Sequence, residues 1–198
     1  MSAAAKAGVE TRWTTDDLEM FPDDGNRYEI IDGELYVSKQ PHFHHQTTCY
    51  RVALALTAWS DTAKSGVTIP APGIIFDAED AVAPDVVWIS REQYVRAVQP
   101  DGKLHAAPEL VVEVLSFGGR NEERDKALKL NLYSRRGVRE YWVLDWRARQ
   151  VDVYRRHEAV LRQVVTLYAE DRLTSPLLPG FASPVAAFFA DVSEGDND

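Results

Sequence analysis

The sequence predicts an α/β fold with a mixed β-sheet flanked by helices, and three stretches of the chain support this prediction. Residues 110–115 are a nearly continuous apolar run, which is typical of a strand covered on both faces. A helical pattern over 121–136 and a strand pattern over 138–145 follow, and this order predicts a βαβ unit with two parallel strands. The pair Asp32-Gly33 lies between two β-rich runs and predicts an antiparallel hairpin. The sheet should therefore contain both strand orientations.

The first third of the chain shows clear start and turn signals. Thr14 and Asp17 have the spacing of a capping box, which predicts a short helix over 15–20. Residues 28–37 form the predicted hairpin, because a type I′ turn needs positive φ at both central positions. Residues 44–63 carry apolar side chains at helical spacing and predict a long helix that faces the core.

The middle of the chain predicts two strands and a helix. Residues 67–76 contain two prolines and predict an edge or bulged strand. Residues 82–90 predict a second strand, and Ser90 then caps a helix over 91–98. The helix over 121–136 should end at Gly137, since glycine accepts the backbone conformation that closes a helix.

The last part of the chain predicts a closing antiparallel meander from strands over 150–156 and 160–168, followed by a short segment over 184–189. The 198 residues suit one domain, without repeats or linkers. We expect it to span residues 14–190, between a disordered N-terminal arm (1–13) and an acidic disordered tail (191–198).

Composition narrows the functional classes. Cys49 is the only cysteine, so an internal disulfide and a cysteine-based zinc cluster are both excluded. The sequence begins without an apolar secretory segment and contains no run of transmembrane length, which predicts a cytoplasmic protein with no membrane partner. Glycine-rich phosphate loops and the GxSxG and HExxH motifs are also missing from the sequence, so it does not support nucleotide-phosphate cradling, serine hydrolysis or zincin chemistry.

Positive charge is concentrated in one part of an acidic chain. The net charge is −9, yet residues 120–156 carry 11 basic and 6 acidic side chains. Such local clustering decides whether a phosphate backbone can dock, although an ordinary solvated surface has the same appearance. The candidate nucleic-acid contacts in this region are Arg120, Arg124, Lys126, Arg135 and Arg136.

Two carboxylates are the strongest candidates for chemistry. Glu113 interrupts the apolar run 110–115, where an ionised group is costly unless it is paired or metal-bound; an exposed strand end or an arginine partner is the simpler explanation. Asp85 should open a neighbouring strand, and two carboxylates that converge from adjacent strands would suit Mg²⁺ or Mn²⁺. Glu34, after the hairpin turn, is a possible third carboxylate or an exposed turn residue.

Other polar residues could complete this site. Lys129 lies on the helix that follows Glu113, where it either pairs with Asp125 on the surface or reaches a scissile phosphate. Tyr133 would share its face of the helix. His45, the member of a histidine cluster nearest the long helix, could line a cleft.

These residues and their order resemble the Uma2 family of endonucleases, a branch of the PD-(D/E)xK restriction-endonuclease-like superfamily. The resemblance extends from about Thr14 to Phe189. The matching segments are YEIIDGEL (28–35), HQ (45–46), APDVVWIS (83–90), PELVVEVLS (108–116), Asp125, Lys129, Tyr133, GVREYWVLD (137–145) and LPG (178–180).

The resemblance implies a restriction-endonuclease-like core that hydrolyses DNA phosphodiester bonds with Mg²⁺ or Mn²⁺. Asp85 and Glu113 would be the metal-binding carboxylates, and the carbonyl of Val114 would be a further ligand. Leu115 stands where the superfamily pattern has lysine, and Lys129 on the next helix would take that role. Glu34 would complete the metal shell or position water. Cleavage of both strands of a duplex would favour a homodimer.

Two other functions remain open at this point. The chain could be a catalytically silent nucleic-acid-binding or assembly module, because a fold does not guarantee activity. It could also be a metal-dependent phosphoesterase for a small substrate, for which a modest positive patch is enough. The salt dependence distinguishes these functions, since binding to a long polyanion weakens steeply with ionic strength and turnover of a small substrate weakens much less.

Overall fold

The structure, a computed structural model, describes the backbone of residues 11–116 and 122–192 and the side chains of 11–116 and 126–192. The described chain contains the α-helices α1 (Phe43–Ala63), α2 (Arg91–Ala97) and α3 (Glu122–Arg136), with 3₁₀ helices at Thr15–Met20 and Val185–Phe189. Its strands are β1 (Arg27–Ile31), β2 (Glu34–Ser38), β3 (Gly66–Pro70), β4 (Ile74–Asp77), β5 (Asp80–Val82), β6 (Val86–Ser90), β7 (Leu110–Val114), β8 (Glu140–Asp145), β9 (Gln150–His157), β10 (Val160–Leu167), β11 (Arg172–Ser175) and β12 (Leu178–Pro184).

A six-stranded mixed sheet in the order β10-β9-β8-β7-β6-β3 is the centre of the fold. Only β7 and β8 are parallel within it, and α3 connects them, so the predicted βαβ unit is confirmed. Side chains alternate between the two faces of the sheet. Val112 and Trp142 pack in the cluster that contains residues of α1, whereas Val111 and Tyr141 pack in the cluster that contains residues of α3.

A second sheet, in the order β2-β1-β5-β4, packs on the α3 side of the central sheet. Its β1–β2 hairpin turns at Asp32 and Gly33, whose φ angles are 53° and 74°. Both central residues therefore have the positive φ of the predicted turn. A third, two-stranded sheet of β11 and β12 was not predicted.

The prediction of a single strand over 67–76 is wrong, because this segment changes sheets halfway, whereas the strand predicted over 82–90 is present but begins only at Val86. The first divides into β3 in the central sheet and β4 in the second sheet, with Ala71 between them at a φ of 45°. In the second segment Val82 is the last residue of β5, Pro84 and Asp85 lie at the break, and β6 follows. The Ala71 N–H donates to the Asp85 carbonyl over 2.9 Å, so the chain crosses between the sheets twice at one place.

Several predicted boundaries are confirmed within one or two residues. Ser90 Oγ accepts a hydrogen bond from the Gln93 N–H over 3.2 Å and caps α2. Gly137, at a φ of 89°, follows the end of α3. The predicted strands over 150–156 and 160–168 are β9 and β10, which pair antiparallel.

The predicted arm and tail fall mostly outside the described residues. Residues 1–10 and 193–198 are not described, but Arg12, Trp13 and Asp191 contact the rest of the protein. The Trp13 N–H donates to the Gly33 carbonyl over 2.8 Å, and Arg51 Nε donates to Asp191 Oδ2 over 2.7 Å. None of the described helices has the length and apolar character that a membrane crossing requires.

Candidate active site

Asp85 is held at the point where the chain passes from the second sheet to the central sheet. It is 5% exposed, and its carboxylate contacts three different elements. The Val114 N–H donates to Oδ2 over 2.9 Å, and His45 Nε2 lies 3.2 Å from the same oxygen. Arg27 Nη1 donates to Oδ1 over 3.1 Å. These contacts fix the orientation of the carboxylate.

The surroundings of Asp85 keep it ionised. Burial on its own would raise the pKa of this carboxyl group, because a charge loses its hydration there. The hydrogen bond and charge of His45, the charge of Arg27 and the Val114 N–H outweigh burial and lower the pKa well below its ordinary value. Asp85 is therefore an anion at neutral pH.

Glu113 lies on β7 and points to the α3 side of the central sheet, because it alternates with Val112 along the strand. Its Oε1 atom accepts hydrogen bonds from Lys129 Nζ over 2.9 Å and from the Tyr133 hydroxyl over 2.8 Å. Both donors come from α3, one turn apart. The predicted shared face of Lys129 and Tyr133 is thus present.

The pKa of Glu113 is raised to about 7. Burial is the main cause, and the charges of Asp85 and Glu29 raise the pKa further, whereas Lys129 opposes them. Burial lowers the pKa of Lys129, but the charges of Glu113, Glu29 and Asp85 outweigh this effect and raise it above its ordinary value. Lys129 therefore remains a cation beside a carboxylate that titrates near neutral pH.

Glu29 is a site residue that the sequence analysis missed. It lies on β1, is 6% exposed, and its Oε2 atom is 3.2 Å from Lys129 Nζ. Its Oε1 atom accepts a hydrogen bond from the Ala83 N–H over 2.9 Å. The signal was its spacing from Ile31, since residues two apart on a strand share a face and Ile31 is buried.

Glu34, the predicted third carboxylate, is not among the residues that line the cleft described below. It pairs with Ile31 across the hairpin and so has the same face as Glu29. However, it directly follows the turn, where it is exposed and accepts a hydrogen bond from the Tyr36 hydroxyl over 2.8 Å.

These residues border a cleft of about 720 Å³ between the two sheets, α1 and α3. Asp85, Glu113, Val114 and Lys129 all line it, and so does His45, as predicted. Tyr133 is fully buried behind Glu113 and is not among the lining residues. The full lining comprises Arg27, Glu29, Ile31, Tyr36, Ser38, Lys39, Gln40, Pro41, His42, His45, Asp85, Glu113, Val114, Leu115, Ser116, Lys126, Leu128, Lys129 and Tyr141.

The predicted nucleic-acid contacts differ in whether they line the cleft and in the carboxylates with which they pair. Lys126 lines the cleft and pairs with Asp152 at 2.5 Å. Arg135 pairs with Asp32 at 2.7 Å. Arg136 pairs with Asp77 and Asp80 of the second sheet. Arg120 and the side chain of Arg124 lie outside the described residues. Arg135 and Arg136 thus attach α3 to the second sheet, and much of their charge is neutralised there.

The donor set suits a hard divalent cation. Three carboxylates, Asp85, Glu113 and Glu29, line one cleft and lie close enough for their charges to affect one another. Like charge contributes to the raised pKa of Glu113, and a cation would relieve that repulsion. Within the described residues, Oε2 of Glu113 receives no hydrogen bond. Carboxylate and carbonyl oxygens are the ligands that Mg²⁺ and Mn²⁺ prefer.

Comparisons with known proteins agree with this architecture. The model of the family described as "Uma2: Putative restriction endonuclease" matches residues 15–186. A solved structure described as "a putative nuclease belonging to DUF820 from Anabaena variabilis ATCC 29413" is similar at a TM-score of 0.73. The alignment has 15% identity and covers 89% of this chain and 97% of the other, which shows a shared fold. No curated protein matches the sequence.

Proposed function

Because the chain belongs to the Uma2 family of restriction-endonuclease-like proteins, we propose that it is a nuclease that hydrolyses DNA phosphodiester bonds with the help of Mg²⁺ or Mn²⁺. The observation that carries this proposal is the meeting of Asp85, Glu113 and Lys129 in one cleft. Carboxylates can hold a divalent cation, and a positive side chain can stabilise the charge that develops on a transferring phosphoryl group, so these three residues suit metal-assisted phosphoryl chemistry.

Asp85, Glu113 and the carbonyl oxygen of Val114 would hold the metal ion. Once bound, a divalent cation polarises the phosphoryl oxygen and lowers the pKa of a bound water molecule. Asp85 suits this role because its low pKa keeps it charged, and because Arg27, His45 and the Val114 N–H already fix its orientation. Such preorganisation avoids a reorganisation cost during the reaction.

Lys129 would stabilise the negative charge that develops on the phosphate. Its pKa is raised, so at neutral pH it carries a proton and cannot act as the base that activates water. Glu29 and Glu113 hold its ammonium group between them, at 3.2 Å and 2.9 Å. Glu29 would therefore act as a positioning residue for Lys129, and Tyr133 as a positioning residue for Glu113.

DNA would be held near the cleft by Lys39 and Lys126, and Arg120 and Arg124 stay predicted contacts that lie outside the described side chains. Lys39 is exposed at the rim, and Lys126 keeps about a quarter of its side chain accessible despite its pairing with Asp152. Contacts of this kind fix the backbone without reading the sequence of bases. A homodimer would bring two such clefts to the two strands of a duplex.

The direct test is cleavage of supercoiled plasmid by the purified full chain in Mg²⁺ or Mn²⁺. The matched variants are Asp85→Asn and Glu113→Gln, which keep side-chain size, beside Glu34→Gln as a carboxylate outside the cleft. Nicking or linearisation is expected from the wild type and Glu34→Gln, and it should disappear in EDTA and in the two cleft variants. Circular dichroism of each variant checks that it is folded.

Two results would overturn the proposal. If Asp85→Asn and Glu113→Gln cut as well as the wild type, the activity does not come from this cleft. If the wild type cuts nothing and calorimetry shows no Mg²⁺ or Mn²⁺ binding, the chain is instead a silent binding or assembly module.

A phosphoesterase acting on a small substrate is the second candidate, and the cleft itself favours it. The volume of about 720 Å³ is that of a small-molecule site, and Arg135 and Arg136 are engaged in ion pairs. Turnover of bis(p-nitrophenyl) phosphate without plasmid cleavage would support this function. Turnover of both substrates, lost together in Glu113→Gln, would support the nuclease.

A further inference from the structure

A second group of potential metal ligands lies beside the carboxylate cluster, on the α1 side. His45 Nδ1 is 3.5 Å from the Sγ atom of Cys49, and His45 Nε2 is 3.2 Å from Asp85 Oδ2. One ligand atom from each of the three side chains lies within 4.8 Å of the other two. All three side chains are buried.

The helix gives two of these ligands a chelating arrangement. His45 and Cys49 are four residues apart in the first two turns of α1, so both side chains lie on the face that points to the sheet. Two ligands at this spacing on a helix can bind one ion, as in the HExxH motif of zinc enzymes. Asp85 adds a third ligand from the break between β5 and β6, a separate part of the fold.

We propose that His45, Cys49 and Asp85 form a binding site for a transition metal of the zinc class, distinct from the hard-cation site of Asp85 and Glu113. A thiolate and an imidazole are ligands that Zn²⁺ and Co²⁺ prefer, whereas Mg²⁺ prefers oxygen. Three protein ligands leave the fourth tetrahedral position for water or a substrate.

The distances suit such an ion after small movements. Tetrahedral Zn²⁺ with bonds of about 2.0–2.3 Å places its ligand atoms about 3.3–3.8 Å apart. Only one ring nitrogen of His45 can bind a given ion, so one of the two short separations, 3.5 Å from Nδ1 to Cys49 Sγ or 3.2 Å from Nε2 to Asp85 Oδ2, belongs to the ligand set and is close to this range. The three ligand atoms lie within 4.8 Å of one another, so the remaining ligand would approach by a side-chain movement. His45 and Asp85 line the cleft, which gives the ion a path from solvent to Cys49 behind them.

Binding would change the protonation of Cys49. Burial is the main reason that the pKa of this thiol is raised, so without metal it carries its proton, 3.5 Å from His45 Nδ1. A metal ion replaces that proton, which leaves to the buffer, and the thiolate and Asp85 together balance the two positive charges of the ion.

The site has a consequence for the proposed metal chemistry, because both sites need Asp85. An ion held by Cys49 and His45 would draw the Asp85 carboxylate away from a hard cation at Glu113. Zinc-class metals would therefore exclude Mg²⁺ or Mn²⁺ from the cleft. This exclusion is a property of binding and does not require that the chain be a nuclease.

The test is a titration of the full chain with Co²⁺ alone, followed by optical absorption. Because Cys49 is the only cysteine, a thiolate-to-cobalt charge-transfer band can come only from this residue. One equivalent of Co²⁺ should produce the band together with visible transitions typical of a tetrahedral ion. Zn²⁺ should then abolish both, since it binds such sites more tightly than Co²⁺.

Three variants distinguish Co²⁺ binding at the proposed site from Co²⁺ binding elsewhere on the protein. Cys49→Ser should lose the band, and His45→Ala should weaken cobalt binding at least about tenfold, because a ligand is lost. Glu113→Gln should keep the band, since Glu113 is not a ligand of this site. A folded wild type without the band, or an unchanged affinity in His45→Ala, would overturn the proposal.

A Mn²⁺ measurement tests the exclusion separately. Free Mn²⁺ has a strong paramagnetic resonance signal that disappears on binding, so Zn²⁺ should release bound Mn²⁺ from the wild type and restore the signal. In Cys49→Ser the release should require at least about tenfold more Zn²⁺. Equal release in both proteins would contradict a site that depends on Cys49, whereas failure of Mn²⁺ to bind at all would instead contradict the proposed function.

Discussion

At the scale of single residues, Lys129 is the group whose charge the proposed chemistry uses most directly. We expect Lys129→Met, which keeps the length of the side chain, to reduce the single-turnover cleavage rate about 100-fold or more, because a preorganised positive donor at the phosphate is lost. Lys126→Met is the comparison variant, since Lys126 lines the same cleft but pairs with Asp152, and its loss should weaken DNA binding rather than the single-turnover rate at saturating DNA. A comparable loss in both variants would show a general effect of positive charge and contradict the specific role.

Glu113 predicts the pH dependence of metal binding. Its pKa of about 7 means that the proton and the metal ion compete for it near neutral pH. We expect the apparent Mg²⁺ affinity to rise about tenfold from about pH 6 to about pH 8 and then to level off, since deprotonation is complete above the pKa. Calorimetry in two buffers of different ionisation enthalpy measures both the affinity and the released proton. A flat profile would contradict this role of Glu113.

Glu29 and Glu34 provide a matched pair for protein stability. Glu29→Ala removes the acceptor of the Ala83 N–H and one of the two carboxylates that hold Lys129, so we expect a loss of about 1–3 kcal/mol. Glu34→Ala changes an exposed position near a turn and should stay within about 0.5 kcal/mol. Urea denaturation measures both values, and similar losses would mean that Glu29 contributes no more than a surface residue.

The same pair shows what the sequence could and could not predict about the site. Asp85 and Glu113 were predictable because each places a charged side chain where a buried strand favours apolar residues. Glu113 interrupts an apolar strand, and Asp85 lies at the start of the neighbouring one. Glu29 and Glu34 share one face of the hairpin, and the sequence indicated only Glu34, the carboxylate beside the turn. Only the register of β1 with β5, at Ile30 and Ala81, brings Glu29 to Ala83, and no local pattern contains that pairing.

At the scale of secondary structure elements, local sequence signals predicted most helices and strands. They did not predict where the chain crosses from one sheet to the other. The Asp32-Gly33 turn and the Ser90 cap depend on neighbouring residues alone, so both were predictable. The prolines near Ala71 and Asp85 indicated an interruption, yet a proline does not specify which sheet the chain joins next. The hairpin of β11 and β12 was missed because β11 has only four residues and β12 contains Pro179 and Pro184.

Gly66, in the edge strand β3, gives a prediction at this scale. A Cβ atom at this position would lie 2.7 Å from the Trp88 ring and would also clash with the Ile89 carbonyl. We therefore expect Gly66→Ala to destabilise the protein by about 3 kcal/mol. Gly102 is the control, since its surroundings are open and only its φ of 77° opposes alanine, which costs about 1–2 kcal/mol. Thermal denaturation compares the two, and a larger loss at Gly102 would contradict the packing of β3.

At the scale of the whole molecule, charge pairing limits how strongly DNA can be held. The chain has a net charge of −9, and Arg135 and Arg136 are engaged with the second sheet. We expect a shallow salt dependence of DNA binding, with a slope of about −3 in log affinity against log salt, because few cations remain to release counterions. Arg136→Ala should leave this slope unchanged, and fluorescence anisotropy measures it. A slope of about −6 or steeper would contradict the pairing of these arginines in solution.

The crossing of the chain between two sheets determines the stage of folding at which the site can form. Asp85 and Glu113 border the central sheet, whereas Arg27 and Glu29, which contact Asp85 and Lys129, belong to the second sheet. A folding chain that had formed only the central sheet would hold the two carboxylates without these partners. The cleft is complete only after both sheets have joined. A partly folded chain therefore lacks the chemistry of the cleft, which requires the native state.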